Sequence, residues 1–266
     1  MSLFLLDAAG VLYTDSGPTP GAAEHLKYLQ KYGDVFLLTN NSYYNIAKIR
    51  RLLLEKEMDI PIENIYSSGL GLTLDTGLQN MLSGKAVYVY GSQSSLTYLE
   101  GCTAKSRVDN PEQSDVIVLT STLSHHAKQH EERLLSFLSR NPEHPLICVN
   151  PDRYVRGKKE LYPVIGLLAE RIENLTQYPV YWFGKPFKNY AEMVKVLLNK
   201  RGYMLNTDSI FMDDNLENVM AMKCFLGIQG VWVRESGIQS QQPMDTFVSK
   251  WGSPDRCIPY FSHFIL

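Results

Sequence analysis

The chain has 266 residues, which is enough for one large domain or two modest ones with a sizeable core. Its 44% apolar and 20% charged residues are typical of a soluble globular protein, and its 26 basic and 28 acidic side chains give a net charge of −2. Because no long run of one sign occurs, the charge pattern argues against nucleic acid and anionic membranes as partners.

The cysteines and the N-terminus indicate a cytoplasmic protein. The four cysteines are widely spaced and form no Cys-x-x-Cys pair, which argues against a zinc knuckle or a disulfide framework. The N-terminal apolar stretch is too short for a secretory signal and is interrupted by Asp7. No segment approaches the length of a membrane span.

Apolar strand-like runs alternate with helical patterns along the whole chain. Strands are predicted at Leu3–Leu6, Asp34–Leu38, Ala86–Tyr90, Asp115–Leu119, Leu146–Val149, Val180–Phe183, Ser209–Met212 and Ile228–Val233. Helices are predicted near 20–32, 43–57, 70–81, 93–99, 126–140, 163–174, 187–201 and 215–224. This alternation predicts βαβ units and an α/β fold with largely parallel sheets.

Eight strands with their crossovers are many for one compact sheet. Gly- and Ser-rich punctuation suggests a break at Ser83-Gly84 and another around Gln177-Tyr178-Pro179. We therefore predict a core made of residues 1–82 and 180–266, with a second α/β unit of residues 83–179 inserted between its two parts.

Asp7 lies where the first apolar strand breaks into the turn Ala8-Ala9-Gly10. Ligands of open α/β sheets gather outside the carboxyl ends of the strands, which favours a nucleophile or a metal ligand at this position. An ordinary Asp/Gly turn is the alternative interpretation.

Three other strand ends carry polar side chains. Thr39 and Asn40 follow the second strand at the mouth of a helix, where hydroxyl and amide groups bind anions or simply cap the helix. Lys185 lies between Gly and Pro after a later strand, where a lysine can contact a phosphoryl oxygen, neutralise crowded carboxylates or simply be solvated. Asp213 and Asp214 are adjacent carboxylates that suit Mg²⁺, although one of them could be a helix cap. A parallel sheet would bring these strand ends to one edge.

In this order, the four clusters resemble the motifs of the haloacid dehalogenase superfamily. Asp7 matches the first motif, Thr39 the second, Lys185 the third and Asp213-Asp214 the fourth. Further segments resemble the NagD-like, para-nitrophenylphosphatase-type branch: Gly10-Val11-Leu12, Pro20-Gly21-Ala22, Leu38-Thr39-Asn40-Asn41-Ser42, Asn150-Pro151-Asp152 and Gly184-Lys185-Pro186. The resemblance implies a Rossmann-like parallel-sheet core with a large inserted α/β cap, for which the roughly 140 residues between the second and third motifs leave room.

The resemblance also implies a chemistry. Asp7 would attack a phosphomonoester and form an aspartyl-phosphate, which water then hydrolyses. Thr39, the backbone amide of Asn40 and Lys185 would bind the phosphate. Mg²⁺ would be held by Asp7, by the backbone carbonyl of Ala9 and by Asp214, with Asp213 as a ligand or a close neighbour.

The cap would select the substrate, a small phosphorylated metabolite such as a sugar phosphate. In the branch that the chain resembles, a loop after Asn-Pro-Asp faces the active site, which makes Tyr154, Val155 and Arg156 substrate contacts here. Arg156 could pair with an acidic or second phosphate group, and a solvated basic loop is the alternative. Caps of this branch often take part in dimers, so a homodimer is a further expectation.

Ala9 departs from the pattern. Relatives usually carry a second acid at this position, which protonates the leaving oxygen and then activates water, and its loss costs about 10²- to 10⁴-fold in rate. Three explanations stay open: a weakened or non-catalytic natural member, an engineered Asp→Ala that traps substrate, or a phosphonoacetaldehyde hydrolase-like relative with a natural alanine. The corresponding functions are an attenuated phosphatase, a pseudophosphatase that binds a phosphometabolite or a partner, and a phosphonatase-like hydrolase.

Overall fold

The computed structural model describes residues 2–122, 128–158, 160–240 and 252–266. The strands are β1 (Ser2–Leu6), β2 (Tyr13–Thr14), β3 (Gly17–Pro18), β4 (Gly33–Thr39), β5 (Ile65–Ser67), β6 (Ala86–Tyr90), β7 (Ser106–Val108), β8 (Val116–Leu119), β9 (Leu146–Cys148), β10 (Tyr154–Arg156), β11 (Leu161–Pro163), β12 (Tyr181–Trp182), β13 (Ile210–Asp213), β14 (Gln229–Val233) and β15 (Arg256–Ile258). The helices are α1 (Ala22–Leu29), α2 (Ile46–Leu54), α3 (Gly71–Leu74), α4 (Thr76–Leu82), α5 (Lys128–Arg140), α6 (Ile165–Thr176), α7 (Lys188–Lys200) and α8 (Leu216–Leu226).

A six-stranded parallel sheet combines both ends of the chain. Its strand order is β15-β14-β13-β1-β4-β5. The central strand β1 pairs in parallel with β4 and β13, with Leu6 opposite both Leu37 and Met212. The residues that follow β1, β4 and β13 therefore emerge side by side at one edge of the sheet.

The middle of the chain forms a second, five-stranded parallel sheet in the order β12-β9-β8-β6-β7. An antiparallel hairpin of β10 and β11 follows β9, and β2 and β3 form another after β1. The predicted α/β fold with parallel sheets is confirmed. The sheet order separates the middle of the chain from its two ends, while the proposed boundaries at 82 and 179 stay a prediction.

Apolar packing joins the two sheets. Successive residues of β1 alternate between the faces of the large sheet, so Leu3 and Leu5 enter one apolar cluster while Phe4 and Leu6 enter the other. The first of these clusters also contains Val118 of the second sheet. Burial on both faces explains why the central strands read as continuous apolar runs.

The strand before Lys185 differs from the expectation. It is β12, which pairs with β9 at the edge of the second sheet and is not beside β1. The expectation that all four motif strands share one sheet edge was therefore wrong for this strand. After β12 the chain turns at Gly184, which has a φ of 121°, and so carries Lys185 across to the large sheet.

Some helices also differ from their predicted form. The helix predicted near 70–81 is divided into α3 and α4, because the side chain of Asp75 caps α4 by accepting a hydrogen bond from Leu78 N at 2.9 Å. The helix predicted near 93–99 is a 3-10 helix, Gln93–Leu99. Among the described residues, no helix is long and apolar enough to cross a bilayer.

Candidate active site

Asp7 lies at the floor of a cavity between the two sheets. Its backbone N–H donates to Met212 O at 2.8 Å, which extends the pairing of β1 with β13 by one residue. The residue is 7% exposed and lines a cavity of about 490 Å³. The strand thus fixes the Asp7 backbone while its carboxylate faces the cavity.

Lys185 joins the Asp7 carboxylate to a second one. Its Nζ lies 2.6 Å from Asp7 Oδ1 and 2.6 Å from Asp213 Oδ2, and its side chain is 1% exposed. Burial alone would lower the pKa of the Lys185 ammonium, but Asp213 and Asp7 outweigh burial and the pKa is raised. Lys185 is therefore held as a cation against both carboxylates.

The backbone of Lys185 is held by the side chain of Asn40. Asn40 Oδ1 accepts from Lys185 N at 2.8 Å, and Asn40 Nδ2 donates to Lys185 O at 2.9 Å. The same Nδ2 also donates to Asp152 Oδ1 at 2.8 Å. One amide that follows β4 therefore fixes the lysine that the second sheet contributes.

Thr39 is the last residue of β4 and lines the cavity beside Asp7. It is buried, and its hydroxyl oxygen accepts from Asn41 N at 3.1 Å. The helix after it begins at Ile46, later than predicted, because Asn45 caps α2 by accepting from Lys48 N. The motif that ends in Thr39 thus lies in a loop at the sheet edge.

Asp214 faces the cavity with both sides of its carboxylate covered. A Cβ added at Gly10 or at Gly237 would overlap the Asp214 carboxylate, so each position needs a glycine. Asp214 Oδ2 accepts from Ile238 N at 2.8 Å, and Ser236 Oγ donates to Gly10 O at 2.5 Å. The loop after β14 therefore orients this acid.

The three carboxylates suit a small divalent cation. Ligand oxygens of Asp7, Asp213 and Asp214 lie within 4.8 Å of one another, and all three residues are buried. Burial raises the pKa of Asp7 and that of Asp214, and the neighbouring Asp213 raises both further. Three carboxylates against the single Lys185 leave an excess of two negative charges when all are ionised, which Mg²⁺ would balance with hard oxygen ligands.

The second sheet supplies the opposite wall of the cavity. Tyr154, Val155 and Arg156 of β10 line it, as the sequence predicted for the loop after Asn-Pro-Asp. Ala9 also lines the cavity, so a methyl group occupies the position where an acid is usual. Most of the predicted site residues thus line one cavity, whereas Asn40 and Asp213 adjoin it through their contacts with Lys185, and the roles of all of them stay predictions.

Sequence inspection missed several cavity residues. Asp152 lines the cavity, although its motif served only as a family signature, and Tyr13 and Lys56 contribute from the large sheet's side. Lys56 Nζ lies 5.3 Å from the centre of the Tyr13 ring. The position of Asp152 in the loop after the apolar strand β9 was the signal that could have identified it.

Comparison with known proteins agrees with this geometry. Residues 4–105 match the haloacid dehalogenase-like hydrolases, a stretch that includes Asp7 and Thr39. No curated protein matches the chain. The match over residues 4–105 agrees with the haloacid dehalogenase resemblance recognised in the sequence, and the fold agrees with that of its NagD-like branch.

Solved structures with the same fold align along nearly the whole chain. NagD from E. coli K-12 is 23% identical, with 100% of this chain and 99% of that chain covered and a TM-score of 0.75. A possible sugar phosphatase from Cytophaga hutchinsonii is 20% identical, with 99% and 95% covered and a TM-score of 0.83. A 4-nitrophenylphosphatase from Thermotoga maritima is 21% identical, with 98% and 95% covered and a TM-score of 0.76.

Proposed function

We propose that the protein is a Mg²⁺-dependent phosphatase that hydrolyses a small phosphorylated metabolite, such as a sugar phosphate or a similar phosphomonoester. One observation carries the proposal: Asp7 lies at the floor of the cavity, where its carboxylate contacts Lys185 and lies within 4.8 Å of two further carboxylates. The neighbours described as a sugar phosphatase and a 4-nitrophenylphosphatase support the reaction class.

The residues divide the reaction into two displacements at phosphorus. A carboxylate oxygen of Asp7 bonds to phosphorus as the bond to the leaving oxygen breaks, and water then displaces Asp7 from the aspartyl-phosphate. Lys185, the Thr39 hydroxyl and the backbone amide of Asn40 hold the phosphoryl oxygens in place.

The metal would be held by the Asp7 carboxylate, the backbone carbonyl of Ala9 and Asp214, with Asp213 as a further ligand or a neighbour. Bound there, Mg²⁺ would offset the negative charge that collects on the transferred phosphoryl group.

The cavity wall supports a polar substrate that carries a second acidic group. Tyr154 and Arg156 face the cavity from β10, and Ser121 and Thr122 add hydroxyl groups from the second sheet. Arg156 is only part-buried, so its guanidinium can meet a carboxylate or a second phosphate of the substrate.

The proposal is tested by hydrolysis of para-nitrophenyl phosphate with and without Mg²⁺. We expect metal-dependent turnover in the parent chain and a loss of at least about 10³-fold in Asp7→Asn, because an amide is a poor nucleophile. Asp208→Asn is the matched control, since this exposed acid precedes β13 at the opposite end of the strand from Asp213. Turnover that survives in Asp7→Asn would contradict the proposal.

A second candidate function is a pseudophosphatase or substrate-trapping protein that binds a phosphometabolite or a partner without turnover. The methyl group of Ala9 in the cavity is the observation that favours it. Absence of hydrolysis in the parent, together with tight phosphate binding and activity in Ala9→Asp, would support this second function over the first.

A phosphonatase-like hydrolase is the third choice, because its chemistry needs a neutral lysine to form a Schiff base. The Lys185 pKa is raised by Asp213 and Asp7 despite burial, which keeps this amine protonated. Inactivation by borohydride in the presence of a phosphonate aldehyde would support the phosphonatase-like function.

For partners, we propose the small phosphorylated metabolite alone, without nucleic acid or membrane, in a cytoplasmic protein. Homodimerisation is a further expectation, and size-exclusion chromatography with light scattering tests it.

A further inference from the structure

The leaving oxygen needs a proton that Ala9 cannot supply. When the bond from phosphorus to an alcohol oxygen breaks, both electrons stay on that oxygen, and a strongly basic alkoxide forms unless an acid protonates it. The methyl group of Ala9 lines the cavity but carries no proton to transfer. A working enzyme therefore needs another acid that reaches the leaving group.

Asp152 lies on the wall of the same cavity. It follows β9 of the second sheet, whereas Asp7 follows β1 of the large sheet. In-line displacement places the leaving oxygen on the side of phosphorus away from Asp7. Asp152 and Asp7 reach the cavity from different sheets, so an acid other than the nucleophile is available to the leaving group.

The Asp152 carboxyl is anchored through one oxygen. Its Oδ1 accepts from Asn40 Nδ2 at 2.8 Å, and its backbone is held by Asn150 Oδ1 at 3.1 Å and by Gly166 N at 3.0 Å. Within the described ranges, no hydrogen bond is made to the other oxygen, Oδ2. This oxygen is therefore available to a ligand in the cavity.

Asn40 links Asp152 to the backbone of Lys185. Its Nδ2 donates both to Asp152 Oδ1 and to the backbone O of Lys185, the residue whose Nζ contacts Asp7. One side-chain amide thus positions Asp152 and the backbone of this lysine together.

The raised pKa of the Asp152 carboxyl suits a proton donor. Burial between the sheets raises its pKa to about 6, the Asn40 hydrogen bond and the Lys185 charge oppose this effect, and Asp213 adds to it. An acid whose pKa lies near the working pH can both give and regain a proton.

On the basis of the proposed function, we infer that Asp152 is the catalytic proton donor that replaces the missing acid at position 9, and that the substrates are phosphate esters of alcohols. In the first displacement, the Asp152 proton moves to the leaving oxygen, which departs as a neutral alcohol, and Asp152 becomes a carboxylate. In the second, water attacks the aspartyl-phosphate, its proton passes to Asp152, and Asp7 leaves as a carboxylate. The sum is ester plus water giving alcohol plus phosphate.

Two substrates with different leaving groups test this role. Para-nitrophenolate departs without a proton, whereas the alkoxide of glycerol phosphate does not. For Asp152→Asn, we expect the rate of alcohol release in the first turnover to fall about 10²- to 10⁴-fold with glycerol phosphate, and the first-turnover rate of para-nitrophenolate release to change by less than about threefold. A purely structural role would lower both rates together.

Asparagine at 152 keeps an oxygen that can accept from Asn40, so the contact between the sheets is preserved, and thermal unfolding checks this. Adding Ala9→Asp to Asp152→Asn should restore glycerol phosphate turnover, because it returns an acid to the other position. Equal first-turnover rates for Asp152→Asn and the parent on glycerol phosphate, or equal first-turnover losses on both substrates, would overturn the inference. Failure of the proposed function is distinct, since the parent would then be inactive even on para-nitrophenyl phosphate.

Discussion

Replacing Lys185 by methionine tests the charge balance on which the site depends. Methionine keeps most of the length and apolar volume of the lysine stem but removes the ammonium group. In the parent, that ammonium lies 2.6 Å from Asp7 Oδ1 and 2.6 Å from Asp213 Oδ2, with only 1% of its side chain exposed. The variant therefore removes the cation that contacts two of the three buried carboxylates.

The expected cost is large because these groups are buried. Removing one partner of a buried ion pair costs about 3–5 kcal/mol, since it leaves an uncompensated charge. At roughly 2–4 °C per kcal/mol for a chain of this size, the unfolding midpoint should fall by about 6–20 °C in EDTA. Mg²⁺ should recover part of this loss, because the cation supplies the missing positive charge.

The assay is thermal unfolding in EDTA and in Mg²⁺, with Lys223→Met as the matched control. Lys223 Nζ pairs with Asp255 Oδ1 at 2.8 Å, but both side chains are about one-third exposed. A pair of this kind is worth about 0–1 kcal/mol, so the control should shift the midpoint by only a few degrees. Equal shifts in the two variants, or a Lys185→Met midpoint that Mg²⁺ does not change, would refute the reasoning.

Two further substitutions test the proposed metal site and the proposed substrate-binding wall of the cavity. In Gly237→Ala, the new Cβ would overlap the Asp214 carboxylate. We therefore expect a roughly 10- to 100-fold rise in the Mg²⁺ concentration for half-maximal activity. An unchanged Mg²⁺ requirement would contradict the role of the loop after β14 in orienting Asp214. In Arg156→Ala, KM should rise about tenfold or more for a substrate with a second acidic group and stay constant for para-nitrophenyl phosphate. Arg153→Ala is the control, because Arg153 is exposed and paired with Glu170. A similar change in KM in both variants would contradict a role for Arg156 in substrate binding.

The central strands could be predicted because their burial is visible in the chain. The runs that became β1, β4 and β13 are largely apolar; β4 and β13 end at a polar residue, and Asp7 directly follows β1. The edge strands β5, β7 and β15 were missed, because strands of three residues with partly polar composition give no periodic signal. The hairpin of β10 and β11 was missed for the same reason.

The site could be predicted as a set of residue types but not as a network. The acids at 7, 213 and 214 were found because carboxylates after apolar strands are conspicuous. The role of the Asn40 side chain could not be predicted, because its partners Lys185 and Asp152 lie more than 100 positions away and come from the other sheet. Ser236 was missed because a serine in a loop carries no signal until its contact with Gly10 is known.

Hydrogen bonds between residues far apart in the sequence also hold the two sheets together. Ser42 Oγ donates to Thr120 O at 2.5 Å, and Tyr98 OH donates to Tyr44 O at 2.7 Å. Together with the Asn40–Asp152 bond, these contacts fix the second sheet above the carboxylates. The depth of the cavity, which decides what substrate fits, follows from this docking and could not be inferred from local sequence.

Covalent labelling of Asp7 is the most direct measurement. The protein would be mixed with para-nitrophenyl phosphate and Mg²⁺, quenched in acid during turnover, digested and analysed by mass spectrometry for a phosphoryl group on the N-terminal peptide. The account predicts a phosphoryl group on Asp7 that hydroxylamine removes and that Asp7→Asn abolishes. Turnover with the phosphoryl group on another residue, or turnover during which no phosphoryl group is found on Asp7, would contradict it.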